Sequence, residues 1–600
     1  MDYVFRYELD RETPSPPGEN RLLNLVKHQL QNLLNIVSLS SNGKGIKVDG
    51  FKLLSDKTDH HPLYPPTHLS AGDLGSSVLY EPRIEFIKKQ LESLLSVVDL
   101  EGHGRVVPPD GFRLKCLEDW LVQSDCGPSE LLEIAATQCN CDCVMCYNKG
   151  NPPSLALGPV KRSPREELHE IETRLRYFFP EKKMALFPGP GCGYDVMAHP
   201  FFFKILRLLR EKTSGPIRIS TNGRTLTPRR IRKLAEFKPI YVHLSLNSSS
   251  PERRGKVMGE NRPGTAISAP SGLRSEEIPY SVVIVPWPVD SISKMCQDLC
   301  DTAQYADECG AHLIQINLPG YSKWFSSDAE FNREEVWRAC IDTVRELRGK
   351  LACPIVTMPS MYEENLYEDR KNLPKIIGLV PHSPGVRCGL RLGDILLGIN
   401  NISITTRPQA RDMLSMFQKG EIKTAHLTMQ RDRKKLETVI HSDDFSYPFT
   451  KEFDHHLGIV FMGTGLRVSS IERLKAVIDS HKAKNVLFLS SELVKPLFEQ
   501  CLRESRLLHA PDLTIHTRVP RNNYFGGNVF MGDLLVVQDF IDCIKEFLLE
   551  NERGPDLVVI PSSPFNLGGW KRDLTGRVYL DIEREVGVPV ELLECDTIYD

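Results

Sequence analysis

Cys139-Asn140-Cys141-Asp142-Cys143-Val144-Met145-Cys146 concentrates four thiols within eight residues. Cys139, Cys143 and Cys146 are spaced C-x3-C-x2-C, with Cys141 an extra thiol inside the loop. Three thiolates on one loop can hold three irons of a cubane cluster that normally takes four cysteines, leaving the fourth iron open to a substrate or cofactor. Zinc is the competing reading, but a structural zinc site is closed by four ligands, and no second C-x2-C pair lies nearby. The chain carries 16 cysteines in 600 residues. It opens Met1-Asp2-Tyr3-Val4-Phe5-Arg6, with no basic segment leading into an apolar one, so the expected location is cytoplasmic. In a reducing compartment, clustered cysteines point to metal or thiolate chemistry more than to disulfides.

A reactive loop needs a scaffold. From about Leu131 short apolar segments alternate with helical ones, with candidate strands at Leu131–Ala136, Met184–Phe187, Ile217–Ser220, Tyr241–Leu246, Tyr280–Val285 and His312–Asn317. Alternating β and α units imply a parallel sheet with helices outside it. Chemistry in such folds gathers at the C-terminal ends of the strands, which is where the cysteine loop leaves the first of them.

On these residues the segment 126–365, about 40% of the chain, resembles a radical SAM enzyme, whose motif is carried by Cys139, Cys143 and Cys146. Phe187-Pro188-Gly189-Pro190-Gly191 stands where that family has its glycine-rich contact to S-adenosyl-L-methionine. Ser220-Thr221-Asn222-Gly223 ends the third strand, and Ser245-Leu246-Asn247 the fourth. Arg253-Arg254-Gly255 follows, where such enzymes often contact the methionyl carboxylate. The resemblance implies a partial (β/α)6 TIM-like barrel, one [4Fe–4S] cluster, and S-adenosyl-L-methionine held by Gly189, Gly191, Ser220, Asn222, Ser245, Asn247 and Arg254. It also implies an electron donor such as flavodoxin or ferredoxin, and oxygen sensitivity. Two features depart from the pattern: the Gly-Gly-Glu-Pro motif has lost its glutamate, and the aromatic before the third cysteine is Met145, with Tyr147 on the far side. Glycine alone lets backbone approach a ligand closely at small cost. Ser and Asn at strand ends suit ribose and carboxylate hydrogen bonds, but equally serve turns alone.

The chain has 75 Lys+Arg against 78 Asp+Glu, a formal charge of -3, 26% charged and 41% hydrophobic residues. That balance excludes a disordered or collagen-like chain, and nucleic acid is not an expected partner. The run Arg229-Arg230-Ile231-Arg232-Lys233 reads as the solvated face of a helix. Apolar runs such as Val282–Val285 and Val558–Ile560 are far short of a membrane span. Cys296, Cys300 and Cys309, with Cys192, suggest a second cluster, but the first two fall on a helix at Met295–Glu308, where free cysteines act as small apolar residues. His60-His61 and His455-His456 lie in polar linkers and read as solvated.

Four units are expected: 1–125, 126–365, 366–445 and 446–600. In the first, 27–53 aligns on 88–114 without gaps, with leucines three and four apart before an Asp-Gly-Phe segment in each copy. It reads as a helical repeat, either a docking module or a cap. Residues 366–445 resemble a PDZ domain through Ser383-Pro384-Gly385, Gly389-Leu390, Gly393-Asp394-Ile395-Leu396 and Ile399-Asn400, with Ala410 and Leu414 on a helix. PDZ domains take an extended peptide as an added strand, and Ile376–Leu379 would supply part of that groove; the unit could also only pack against the barrel. The α/β tail resembles a domain of undetermined role found in PDZ-containing radical SAM proteins, through Asn523-Tyr524-Phe525-Gly526-Gly527, Gly532-Asp533-Leu534-Leu535 and Leu557–Pro561. There the PDZ unit usually comes first; here it follows the barrel. The expected fold is thus α/β, a barrel with appended domains. The expected activity is reductive cleavage of S-adenosyl-L-methionine to a radical that attacks a protein or peptide docked by the PDZ-like unit. A small-metabolite reaction and a non-catalytic iron–sulfur scaffold or redox sensor are the alternatives.

Overall fold

The computed structural model describes residues 139–152, 163–176, 195–212, 214, 217–325, 330–419, 423–442, 456–463, 465–505, 511–565, 573–577 and 579–593, with short strand segments between 47 and 116. Five strands, β1 (Ile217–Thr221), β2 (Ile240–Ser245), β3 (Tyr280–Ile284), β4 (Leu313–Asn317) and β5 (Ile355–Met358), lie side by side in chain order, all parallel. β5 is a short strand that the sequence reading missed, whereas the candidate strands at 131–136 and 184–187 lie outside the described residues. Alternation along each strand assigns the two faces. Ile240, Val242 and Leu244 join Ile217, Ile219, Val282, Ile284, Ile314, Ile316 and Ile355 in the core beneath the helices. Tyr241, His243 and Ser245 therefore share the opposite face.

The helices between these strands begin where the sequence caps them. Thr227 and Ser250 each accept the backbone amide three residues on, and each is followed by proline in the first turn. The basic run Arg229–Lys233 lies on the helix Pro228–Ala235, with Lys233 Nζ 4.4 Å from the centre of the Phe203 ring and Arg230 donating to the Met197 carbonyl. Arg229, Arg232 and Lys233 are exposed on that helix, the solvated face that the spacing suggested. Cys296 and Cys300 pack beside apolar clusters from the helix Ile292–Glu308, and Cys309 is its buried cap. Cys192 lies outside the described residues.

The PDZ-like unit comprises β6 (Ile376–Leu379), the short helix Pro384–Arg387, β7 (Ile395–Ile399), β8 (Ile402–Ser403), the helix Arg407–Lys419, β9 (Thr424–Arg431) and β10 (Lys434–His441). Its main sheet runs β8-β7-β9-β10. Asn400-Asn401 and Asp432-Arg433 turn its hairpins with positive φ at both residues, the turn that matches strand twist. β11 (Ile459–Phe461), from beyond residue 445, pairs antiparallel with β6. Sequence reading placed this apolar run in the α/β tail; only a partner decides which sheet such a run joins. His456, expected to be solvated, is buried in the turn entering β11. His60, His61 and His455 lie outside the described residues.

The β6–β11 ribbon presents Ile377, Val380, Val460 and Met462 to Tyr241, Leu313 and Val356 on the face of the parallel sheet away from its helices. Fully burying one such aliphatic side chain contributes about 1.5–3 kcal/mol, so this seam is a core and not a loose contact. Arg407, wholly buried, adds a two-pronged ion pair at 2.6 and 2.9 Å to Glu364 of the helix Ser360–Tyr367, and donates to the Gly463 carbonyl at 2.7 Å.

The tail is a parallel sheet of β12 (Asn485–Leu489), β13 (Thr514–Arg518), β14 (Leu557–Pro561) and β15 (Val590–Leu593), in the order β13-β12-β14-β15. Near the N-terminus, Lys47–Val48 pairs with Phe51–Leu54, and Val106–Val107 with Phe112–Arg113. In both copies the Phe of the Asp-Gly-Phe segment begins the second strand of an antiparallel pair. The repeat's expected helices lie outside the described residues. Among the described residues no helix is long and apolar enough to cross a membrane.

Candidate active site at the ends of the barrel strands

The cysteine loop is laced backbone to backbone onto the end of the helix Pro251–Met258. Asp142 N donates to the Met258 carbonyl at 3.1 Å, and Val144 N to the Val257 carbonyl at 2.9 Å. That approach requires glycine next: Gly259 has φ 58°, and a Cβ there would overlap the Asp142 carbonyl. From the other side Asn222, just past β1, donates through Nδ2 to Asn140 Oδ1 at 2.7 Å and reaches Cys139 Sγ at 3.7 Å. Arg224 adds a hydrogen bond to the Asn140 carbonyl. Cys143 Sγ lies 3.7 Å from Met258 Sδ, to which Asn247 donates at 2.9 Å. After Cys146, a 3-10 turn over Tyr147–Gly150 closes with Lys149 N on the Cys146 carbonyl at 2.9 Å.

All four thiols are free. The Cys141 thiol donates towards Cys143, which lowers Cys143 below the ordinary thiol value, with Arg254 assisting; the same bond pushes Cys141 up. Burial pushes Cys139 and Cys146 up. Among the described residues no three His, Cys, Asp or Glu side chains converge as ligands of a single metal ion. An iron–sulfur cluster spreads its thiolates over separate irons, so three free thiols on a firmly held loop fit that group.

The expected contacts to S-adenosyl-L-methionine are placed unequally. Gly189 and Gly191 lie outside the described residues. Ser220 is exposed at the end of β1 and Ser245 half-buried at the end of β2; among the described residues their hydroxyls make no hydrogen bond. Asn247 is buried with φ 59°, its Oδ1 accepting from Val285 N at 2.9 Å, so it ties β2 to the strand beside it. Arg254, expected to contact the methionyl carboxylate, is engaged by partners within the chain. Its side chain is wholly buried, with Nε 2.5 Å from Glu260 Oε1, whose side chain is equally buried. Nη2 donates to the Asn222 carbonyl at 2.6 Å, and Nη1 to the Ser245 carbonyl at 3.1 Å and to that of Leu246. Its donors are held by the ends of β1 and β2 and by one carboxylate, so it acts as a clamp.

Sequence reasoning missed Met258, Gly259, Glu260 and Asp195. Asp195, buried, accepts from Thr221 Oγ1 and from the Asn222 and Met197 amides, each near 3.0 Å, and burial pushes its carboxyl up. The one available signal was Gly259 following a helix, which reads as an ordinary cap. On the face of the sheet away from the helices, His243 Nδ1 lies 2.7 Å from Ser281 Oγ, while among the described residues its buried Nε2 has no hydrogen-bond partner. Burial, with Arg218 adding, pushes its pKa down to about 3.

The profile of the radical SAM superfamily matches residues 134–299, and that of the PDZ domain matches 376–419. No curated protein matches the sequence. Among solved structures, Streptococcus suis SuiB bound to S-adenosylmethionine is similar at 11% identity and a TM-score of 0.29, over 39% of this chain and 54% of that one. The same enzyme bound to precursor peptide SuiA gives 10% identity and a TM-score of 0.28, over 57% of this chain and 64% of that one. The chain thus spans less than two thirds of these structures, and likeness at this level carries no functional weight. The two profile matches do: residues 134–299 are a radical SAM domain and 376–419 a PDZ domain.

Proposed function

We propose that Cys139, Cys143 and Cys146 hold one [4Fe–4S] cluster, and that S-adenosyl-L-methionine binds beside it over the ends of β1 and β2. The observation that carries this reading is the three-thiol loop hydrogen-bonded to Asn222 at the end of β1 and to the end of the helix Pro251–Met258 within the radical SAM domain. When bound and reduced, the cluster supplies the electron that splits S-adenosyl-L-methionine to methionine and a 5′-deoxyadenosyl radical able to abstract a substrate hydrogen. The chain's own residues bind and orient. Ser220 and Ser245, with hydroxyls open, and Gly189 and Gly191 contact S-adenosyl-L-methionine; Asn222 holds the first cysteine; Asn247 and Arg254 fix the strand ends. Orientation of this kind is where protein contributes most to such chemistry.

The substrate on this reading is a protein or peptide, supported by the PDZ domain, a fold that takes extended peptides. A flavodoxin- or ferredoxin-type donor supplies the electron. The test is anaerobic reconstitution, reduction with dithionite and addition of S-adenosyl-L-methionine. 5′-Deoxyadenosine is expected, and protein that carries iron yet releases none overturns the catalytic reading. Cys143→Ala should abolish the cluster absorbance, whereas Cys141→Ala should keep it; an unchanged Cys143→Ala spectrum means the ligands are misassigned.

A further inference from the structure

The role of the C-terminal domain is open, and the structure places one of its loops at the mouth of the barrel. Residues 522–528 reach the loop that follows β4. Tyr321 N donates to Asn528 Oδ1 at 2.7 Å, and Asn528 N to the Tyr321 carbonyl at 3.0 Å. Lys323 N donates to the Phe525 carbonyl at 2.9 Å, Lys323 Nζ to that of Asn523 at 2.8 Å, and Trp324 Nε1 to that of Tyr524 at 3.3 Å. Gly527 has φ 63°, and a Cβ there would overlap the Tyr321 carbonyl and the Ser322 backbone. Behind this contact Phe530 packs 5.0 Å from Trp337, with Arg333 over its ring at 4.5 Å.

The loop held in this way reaches the cysteine segment. Ser322, buried, donates through Oγ to the Gly150 carbonyl at 2.5 Å, and Gly150 closes the turn that begins at Cys146. Phe325, at the end of the same loop, stacks on Trp287 at 6.0 Å. The Tyr321 and Lys323 amides find their partners in the C-terminal domain and not in the barrel. Without that domain neither amide keeps a backbone or side-chain acceptor among the described residues.

We infer that the C-terminal domain is part of the catalytic unit: through Gly527 and Asn528 it is a positioning element that locks the loop 318–325 against the turn following Cys146. Its catalytic consequence, though not its geometry, rests on the cluster proposed above. A third cysteine displaced by a fraction of an ångström misplaces whatever it holds, and misplacement of about 1 Å can cost about 100-fold in rate.

The test uses the full chain as Gly527→Ala, Asn528→Ala and Asn528→Asp, the last keeping Oδ1 as acceptor. Gly349→Ala, at a position open to space with ordinary φ, is the control. Amide exchange on metal-free protein reads the geometry. In Asn528→Ala the Cys146 and Lys149 amides should exchange on the order of tenfold faster while that of Val242 in β2 does not change, and Asn528→Asp should restore them. In reconstituted protein the same variants should broaden the reduced-state EPR signal recorded with S-adenosyl-L-methionine, and slow 5′-deoxyadenosine release between about 10- and 100-fold. Unchanged exchange at Cys146 and Lys149, or a rise shared equally by Val242, overturns the inference; should Gly527→Ala not fold, the Asn528 pair decides. Wild-type protein that releases no 5′-deoxyadenosine while its exchange responds as expected overturns the radical SAM reading and leaves the contact standing.

Discussion

Arg254→Met separates a clamp from a ligand contact. In the wild type the guanidinium sits between the Glu260 carboxylate and the carbonyls of Asn222, Ser245 and Leu246, all withdrawn from water. Burial pushes it below its ordinary value, and Glu260 leads the groups that oppose this. Methionine replaces the volume but leaves Glu260 as a buried carboxylate without its cation. Breaking a buried pair from one side costs about 3–5 kcal/mol, and each stranded carbonyl adds on the order of 1 kcal/mol, non-additively. A local loss of about 4 kcal/mol is therefore expected at the ends of β1 and β2. A chain of several domains has no single unfolding equilibrium, so the assay is native-state exchange at the Thr221 and Leu244 amides, where about 4 kcal/mol is about three decades in rate. Arg254→Met/Glu260→Met removes both charges and should recover more than half of the loss, as buried pairs replaced by apolar groups often do. The reasoning fails if Arg254→Met changes exchange less than tenfold while weakening binding of S-adenosyl-L-methionine, because the guanidinium would then be a contact to the ligand.

Other consequences follow from the same region. The unfolded chain takes up a proton near the ordinary imidazole value that folded His243, pushed down to about 3, refuses. Stability is complete above pH 6.5 and is lost as the pH falls, about 2 kcal/mol between pH 7 and pH 5; exchange at β2 amides measures this, and His243→Gln should flatten that share of the profile. Gly259→Ala combines a strained φ with overlap on the Asp142 carbonyl, so the reconstituted protein should hold less than half the wild-type iron. Full iron content in that variant means the cysteine loop does not depend on this contact.

How far the chain was legible depended on whether the signal was local. The C-x3-C-x2-C loop and the strands at β1 to β4 could be read directly, because spacing and alternation report local geometry. β5 was not seen, because four residues of Ile355–Met358 carry too short an alternation. β11 was seen as a strand but placed in the wrong sheet, because an apolar run does not name its partner. Ser220, Asn222, Ser245 and Asn247 were picked out as strand-end polar residues and do gather at one end of the sheet. Their division into groups with open hydroxyls and groups tying neighbouring strands depended on distances that the sequence does not encode.

By itself the sequence determined the chemistry available: which thiols share a loop, and which units follow one another along the chain. Tertiary structure decided what those residues face. Glu260 lies six positions from Arg254, a spacing with no helical meaning, and became its counter-charge because a left-handed glycine turned the chain back into the core. Residues 522–528 of the C-terminal domain lie more than 370 positions from Cys146 and reach the segment after it by way of the loop that carries Ser322. Periodicity specifies how a segment folds on itself. Which segments meet depends on burial and pairing across the whole chain, and that is settled only when it packs.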